Sequence, residues 1–166
     1  MIERGFMTSV RASAVAFLLV IACAQPARAD ITAFIGANTT PANRPARGVA
    51  VGMGLLIVGF EFEYSNTSDD PTVGAPSLTT GMANVLLQTP VAFMGLQPYL
   101  TAGAGAYRET LGTHEDTSVG VNTGAGVKIS LVGPLRLRVD YRVFKLGSGA
   151  LSSPAQRIYA GLNLKF

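Results

Sequence analysis

The feature that most constrains this chain is its last stretch, residues 157–166, where apolar and polar side chains alternate without a break up to an aromatic final residue. Ile158, Ala160, Leu162, Leu164 and Phe166 fall on one face, and Arg157, Tyr159, Gly161, Asn163 and Lys165 on the other. Successive side chains of a strand point to opposite sides, whereas a helix would scatter both sets around its axis. The pattern therefore demands a strand.

The same period recurs in about eight segments from residue 30 onward, divided by turn chemistry, with no convincing amphipathic helix. Residues 135–143 are the most informative: Leu135, Leu137, Val139, Tyr141 and Val143 are apolar, and Arg136, Arg138, Asp140 and Arg142 fill every place between. Within residues 55–65, Val58, Phe60, Phe62 and Tyr64 oppose Glu61 and Glu63. Residues 30–38, 98–108 and 117–131 alternate as well, the last setting Lys128 on its polar, glycine-rich face. Residues 77–88 read as a strand whose faces stay unassigned. The run 48–60 is apolar throughout, but Gly48, Gly52, Gly54 and Gly59 weigh against a helix, since an interior glycine costs one up to ~1 kcal/mol relative to alanine. It is expected to form a short strand to Met53, a tight turn near Gly54 and then the third strand. Long polar connections are expected at residues 39–47, 66–75, 109–116 and 145–155, and very short ones after the second and sixth strands.

Before residue 30 the chain reads as an export signal: Arg4 and Arg11, an apolar run from residue 12 to 24, and a small-x-small cleavage site at Ala27 and Ala29. The run is well short of the ~20 residues a spanning helix needs. The expected division is a cleaved signal over residues 1–29 and one barrel domain over residues 30–166. Val20-Ile21-Ala22-Cys23 also fits a lipidation site at Cys23, which stays open as an alternative. Removal of residues 1–29 leaves 10 basic and 9 acidic residues, so the basic character of the whole chain gives no support for nucleic-acid binding.

Alternation does not say which face is inside. Charged residues are only 14% of the chain, against roughly 25% in ordinary soluble proteins, so few charges exist to cover a solvated exterior. The polar face mixes those charges with many glycines, which suits a narrow lumen filled by side chains. An open sheet edge in hydrocarbon would leave backbone groups unpaired at several kcal/mol each, so a spanning sheet must close. The expected fold is all-β: an eight-stranded antiparallel up-and-down transmembrane β-barrel. Glu61, Glu63, Lys128, Arg136, Arg138, Asp140, Arg142, Arg157 and Lys165 then form a lumen charge network, with Glu61 and Glu63 facing Arg138 and Arg142 across the interior.

With its apolar face kept to Phe166, the closing segment resembles the last strand of bacterial outer-membrane barrels. The segment from Val119 to Val127, followed by Leu135 to Arg142, is similar to segments of small porin-like barrels. The chain as a whole resembles the eight-stranded OmpA and OmpX type. That resemblance implies a Gram-negative outer-membrane location and contact with outer-membrane lipid and lipopolysaccharide. It also implies recognition by the barrel-assembly machinery through Ile158, Ala160, Leu162, Leu164 and Phe166.

No cofactor, metal or nucleic acid is expected, and any surface ligand is unidentified. His114 is the only histidine, and it is expected in a polar loop. Lipid A deacylases of similar size use a serine, histidine and acid on strands, so catalysis is not expected. Asp69-Asp70 and Glu115-Asp116 are weak cation signals beside the six to eight oxygen ligands calcium takes. The Gly-x-Gly runs precede no helix and are not phosphate loops. The expected role is structural or surface-binding with a plugged lumen. A narrow anion-leaning pore is the alternative, and a lipid-modifying enzyme comes third.

Overall fold

The structure is a computed structural model that describes residues 28–166; residues 1–27 of the expected export signal, with Cys23 and Ala27, lie outside the described residues, while its last two, Arg28 and Ala29, begin the first strand. Eight strands follow one another: β1 (Arg28–Asn38), β2 (Arg44–Leu55), β3 (Val58–Thr67), β4 (Ser77–Gln88), β5 (Leu96–Leu111), β6 (His114–Ser130), β7 (Leu135–Lys145) and β8 (Ala155–Lys165). Each pairs antiparallel with the next, and β1 pairs with β8, so the sheet closes and has no free edge. Both ends of the described chain and the turns at residues 56–57, 89–95 and 131–134 share one end of the barrel, here the terminus end. The opposite, loop end carries residues 39–43, 68–76, 112–113 and 146–154.

The polar residues are inside and the apolar ones outside. Ile35, Val49, Phe62, Tyr64, Leu100, Val121 and Leu162 are each at least half exposed on the outer wall. Glu63, Arg138, Arg142 and Asn163 have no accessible surface at all. In water that distribution would be costly on both faces; in a bilayer the outer wall is dry and the inner groups pair with one another.

An eight-stranded ring encloses little space, and cross-strand glycines make the room. Phe34 lies between Gly48 of β2 and Gly161 of β8, and Tyr159 lies opposite Gly36. Tyr99 faces Gly126, and Arg142 faces Gly124. A Cβ on Gly126 would overlap the Tyr99 hydroxyl, and one on Gly161 would lie 2.7 Å from the Phe34 Cβ. The Phe34 and Tyr159 rings stack across β1 and β8 with centroids 4.0 Å apart.

Four expectations need correction. β2 is a full strand from Arg44 to Leu55, not a short one. Pro45 sits at its second residue, where a strand tolerates a missing N–H, and its carbonyl accepts from the Ser68 N–H at 3.1 Å. The following turn is Leu56–Ile57 rather than near Gly54; Gly52 and Gly54 stay within the strand and line the interior. Residues 109–116 are not a loop: Glu109 pairs with Asp116, Thr110 with Glu115 and Leu111 with His114, around a two-residue turn. This hairpin stands outside the apolar band, so neither face is marked by apolar residues. Finally, Lys145 ends β7 rather than opening a loop. The difference between the two ends thus rests on a projecting hairpin as much as on loop length.

Candidate functional site

The interior is built in layers along the barrel axis. Its central layer comes from alternate residues of β3, β7 and β8: Glu61 and Glu63, Arg138, Asp140 and Arg142, and Arg157. Three guanidiniums meet three carboxylates. Arg138 binds Glu61 in a two-pronged contact and reaches Asp140 at 3.2 Å, while its Nε donates to the Tyr99 hydroxyl at 2.7 Å. Tyr99 in turn donates to Asp140. Arg142 lies 2.8 Å from Glu61, 2.9 Å from Asp140 and 3.1 Å from Glu63.

Register brings like charges together, since Arg142 stands directly opposite Arg157. Such a pair is destabilising by itself. Glu63, from the far wall, takes both: one oxygen pairs with Arg157 and the other with Arg142. Arg157 also donates to Ser65 and lies over the Phe144 ring, 4.7 Å from its centroid. Asn84 extends the layer, donating to Glu61 at 3.3 Å and accepting from Asn122 at 2.8 Å.

Toward the terminus end, Asp30 accepts from Lys128 at 2.7 Å and from Arg136 at 3.2 Å. Arg136 also donates to Asn163 at 2.8 Å and to Gln97 at 3.0 Å. Beyond these groups lies a cavity of about 420 Å³, with Lys165 at its wall. The loop end holds an apolar cluster inside, Leu78, Met82, Tyr107, Phe144, Leu146 and Ala155, with Ala150 of the last loop against it, beside the buried polar groups of Asn38, Arg44, Thr67 and Glu109. That loop is held by Glu109, whose carboxylate accepts the Leu151 N–H at 2.7 Å, and by Ser153, which accepts the Leu146 N–H at 3.1 Å.

All nine charges read from the sequence lie on the inner face: six in the central layer, Lys128 and Arg136 around Asp30, and Lys165 partly exposed at the mouth. Asp30, Arg44 and Glu109 are inner charges that the sequence reading left out. Asp30 shares parity with Thr32 and Phe34, so it carried a usable signal. Arg44 and Glu109 fell within expected loops and carried none. Tyr99 is the other omission, readable from the inner face it shares with Thr101 and Tyr107.

Ile158, Ala160, Leu162 and Leu164 are exposed on the outer wall, and the Phe166 N–H donates to the Ala29 carbonyl at 2.8 Å, next to β1. His114 is the first residue of β6, exposed at the hairpin tip. Three of the four carboxylates weighed for cations are otherwise engaged: Asp70 caps Thr72 at 3.1 Å, Glu115 pairs with Arg108 at 2.5 Å, and Asp116 accepts from Tyr107 at 2.6 Å. Among the described residues no group of three His, Cys, Asp or Glu side chains could hold a metal.

No protein-family model matches the chain, and no curated protein matches it. Solved structures do. The N-terminal β-barrel domain of Pseudomonas aeruginosa OprF superposes with a TM-score of 0.66 at 17% identity, over 84% of this chain and 97% of that one. Neisserial surface protein A superposes at 0.62 with 18% identity, over 84% and 96%. A major outer membrane protein from Thermus thermophilus superposes at 0.55 with 15% identity, over 86% and 100%. At these identities the likeness speaks for the fold, and the apolar outer wall speaks for the solvent around it. The chain is thus a small eight-stranded β-barrel of the bacterial outer-membrane type.

Proposed function

We propose that this is a non-enzymatic integral outer-membrane barrel whose interior is a structural plug and whose partners meet it at the loop end. The observation that carries the reading is the central layer: Arg138 and Arg142, with no exposed surface, joined to Asp140 on their own strand and to Glu61 and Glu63 from the opposite wall. Side chains that bridge β3 and β7 occupy the path an ion would take. Above them Met82, Phe144 and Leu146 pack into an apolar cluster that narrows the same path. By the usual orientation of such barrels, the short turns face the periplasm and the loop end faces outward. Outer-membrane lipid and lipopolysaccharide then surround the apolar wall, β8 serves as the strand read by the assembly machinery, and residues 68–76, 146–154 and the β5–β6 hairpin are the surface open to a partner.

The test is planar-bilayer conductance of the refolded barrel beside a variant with Arg138→Gln and Arg142→Gln. The expected result is no stable conductance in the wild type and channel events in the variant. Steady anion-selective conductance in the wild type would overturn the plug and leave the second reading, a narrow pore. One observation favours that alternative: the cavity at the terminus end, where Lys128, Arg136 and Lys165 outnumber Asp30.

A further inference from the structure

The terminus-end cavity has a chemistry of its own. It is about 420 Å³ in volume and reaches inward as far as Glu61 and Lys128. Two inner glycines keep it open: a Cβ on Gly52 would lie 2.9 Å from the Asp30 carboxylate, and one on Gly54 would lie 2.9 Å from the Gln88 amide. Its charge is lopsided. Asp30 is one carboxylate shared between Lys128 and Arg136, and Lys165 stands directly opposite Asp30 in the β1–β8 register. Glu61, at the inner limit, is turned toward Arg138 and Arg142. Positive charge is therefore left over for a ligand, beside the neutral hydrogen-bonding side chains of Gln88 and Gln97.

The rim is of the opposite character. Leu56, Val91, Ala92 and Pro134 line the mouth. Around it Phe93, Met94 and Val132 are 77%, 85% and 81% exposed, so all three turns of this end present large apolar side chains to their surroundings. Leu56 and Met94 do so at positive φ, 52° and 51°, a conformation that costs a residue with a Cβ roughly 1–2 kcal/mol and that glycine adopts freely. A turn facing water gains nothing from side chains of this kind. A cationic floor under an apolar rim matches a molecule that is charged at one end and apolar at the other.

We propose that the terminus-end cavity binds an anionic amphiphile. A phosphate or carboxylate head sits against Lys128, Arg136 and Lys165, and an alkyl portion lies across Leu56 and Val91. The head is recognised by charge and by the fork of Arg136, and the tail by removal of apolar area from water. This site does not depend on whether the central layer conducts, because Lys128, Arg136 and Lys165, which would hold the head, stand on the terminus side of Glu61.

The test is calorimetric titration of the refolded protein in phosphatidylcholine nanodiscs with hexyl phosphate, inorganic phosphate and hexyl glucoside. Saturable one-to-one binding of hexyl phosphate is expected, at least tenfold tighter than inorganic phosphate, with no saturable binding of the neutral glucoside. Lys165→Glu, a change at the partly exposed mouth, should weaken hexyl phosphate tenfold or more. Val91→Asp, on a turn, should remove the advantage of hexyl phosphate over inorganic phosphate. Both variants are first checked for a closed barrel by heat-modifiable electrophoretic mobility. Absence of saturable binding, equal binding of the glucoside, or affinities that neither variant changes would overturn the site. Repeating the titration with phosphatidylglycerol in the disc tells the source: binding abolished means that a leaflet lipid fills the cavity, and binding retained means a free amphiphile.

Discussion

Glu63 decides whether the β7–β8 seam can hold. Arg142 and Arg157 face each other there, and among the described residues Glu63 is the single carboxylate that touches both. Glu63→Gln leaves two guanidiniums in contact range with one counter-charge fewer, and breaking a buried pair in this way costs about 3–5 kcal/mol. Urea unfolding of the barrel in lipid vesicles should show that loss, and the double variant Glu63→Gln/Arg157→Met should recover part of it, because the second change removes the repulsion. A double variant as unstable as the sum of its parts would mean that Glu63 and Arg157 are not coupled. The inner glycines make a second residue-scale case. Gly126→Ala pushes a methyl group into Tyr99 and to 2.6 Å from the Val139 carbonyl, and should cost about 1–3 kcal/mol by overpacking, with Tyr99→Ala in the same chain relieving the ring overlap alone.

At the scale of elements, β5 and β6 outgrow their neighbours. Pairing between β6 and β7 begins at Val121, so residues 114–120 are held by β5 alone. Trimming the hairpin tip by joining Thr110 to Glu115 through an Asn-Gly turn, which keeps Glu109 and Asp116 in place, should leave the urea midpoint unchanged, since surface changes away from packed features fall within about 0.5 kcal/mol. A collapse of the barrel would show that the hairpin is part of its frame. The same element shows what a sequence reveals in a protein of this kind. β7 and β3 are legible because charges and large apolar residues take turns, as in Arg138-Val139-Asp140 and Phe60-Glu61-Phe62. β2 is not, because past Arg44 its inner positions are Ala46, Gly48, Ala50, Gly52 and Gly54, small residues that no more announce a lumen than a core. β4 hides its faces for another reason: Leu78, Met82 and Leu86 are apolar and point inward. The hairpin leaves the membrane, where the rule that one face be apolar no longer applies. The inner charges follow suit: those on alternating strands can be placed by parity, whereas Arg44 and Glu109 lie where parity could not be counted.

For the molecule as a whole, the decisive property is the inversion of inside and outside. Phe62 is 59% exposed midway along β3, between two buried glutamates. Phe62→Arg should destabilise the barrel by about 2–4 kcal/mol, the cost of a lipid-facing cation near the bilayer midplane, while Phe62→Leu should cost less than about 1.5 kcal/mol. Both are read from urea unfolding in vesicles, and equal effects would place Phe62 outside the hydrocarbon.

The balance of the central layer has an electrical consequence. A unit charge carried through the full transmembrane potential responds with about 2.3 kcal/mol per 100 mV. Arg138, Arg142 and Arg157 are fastened to Glu61, Glu63 and Asp140, so the assembly as a unit is electroneutral and the field exerts no net pull on it. To open a passage, voltage would have to drag the two signs in opposite directions against their own attraction. If the layer is the plug proposed above, polarisation leaves it in place, and what opens it acts chemically, by giving one arginine or one carboxylate a different partner.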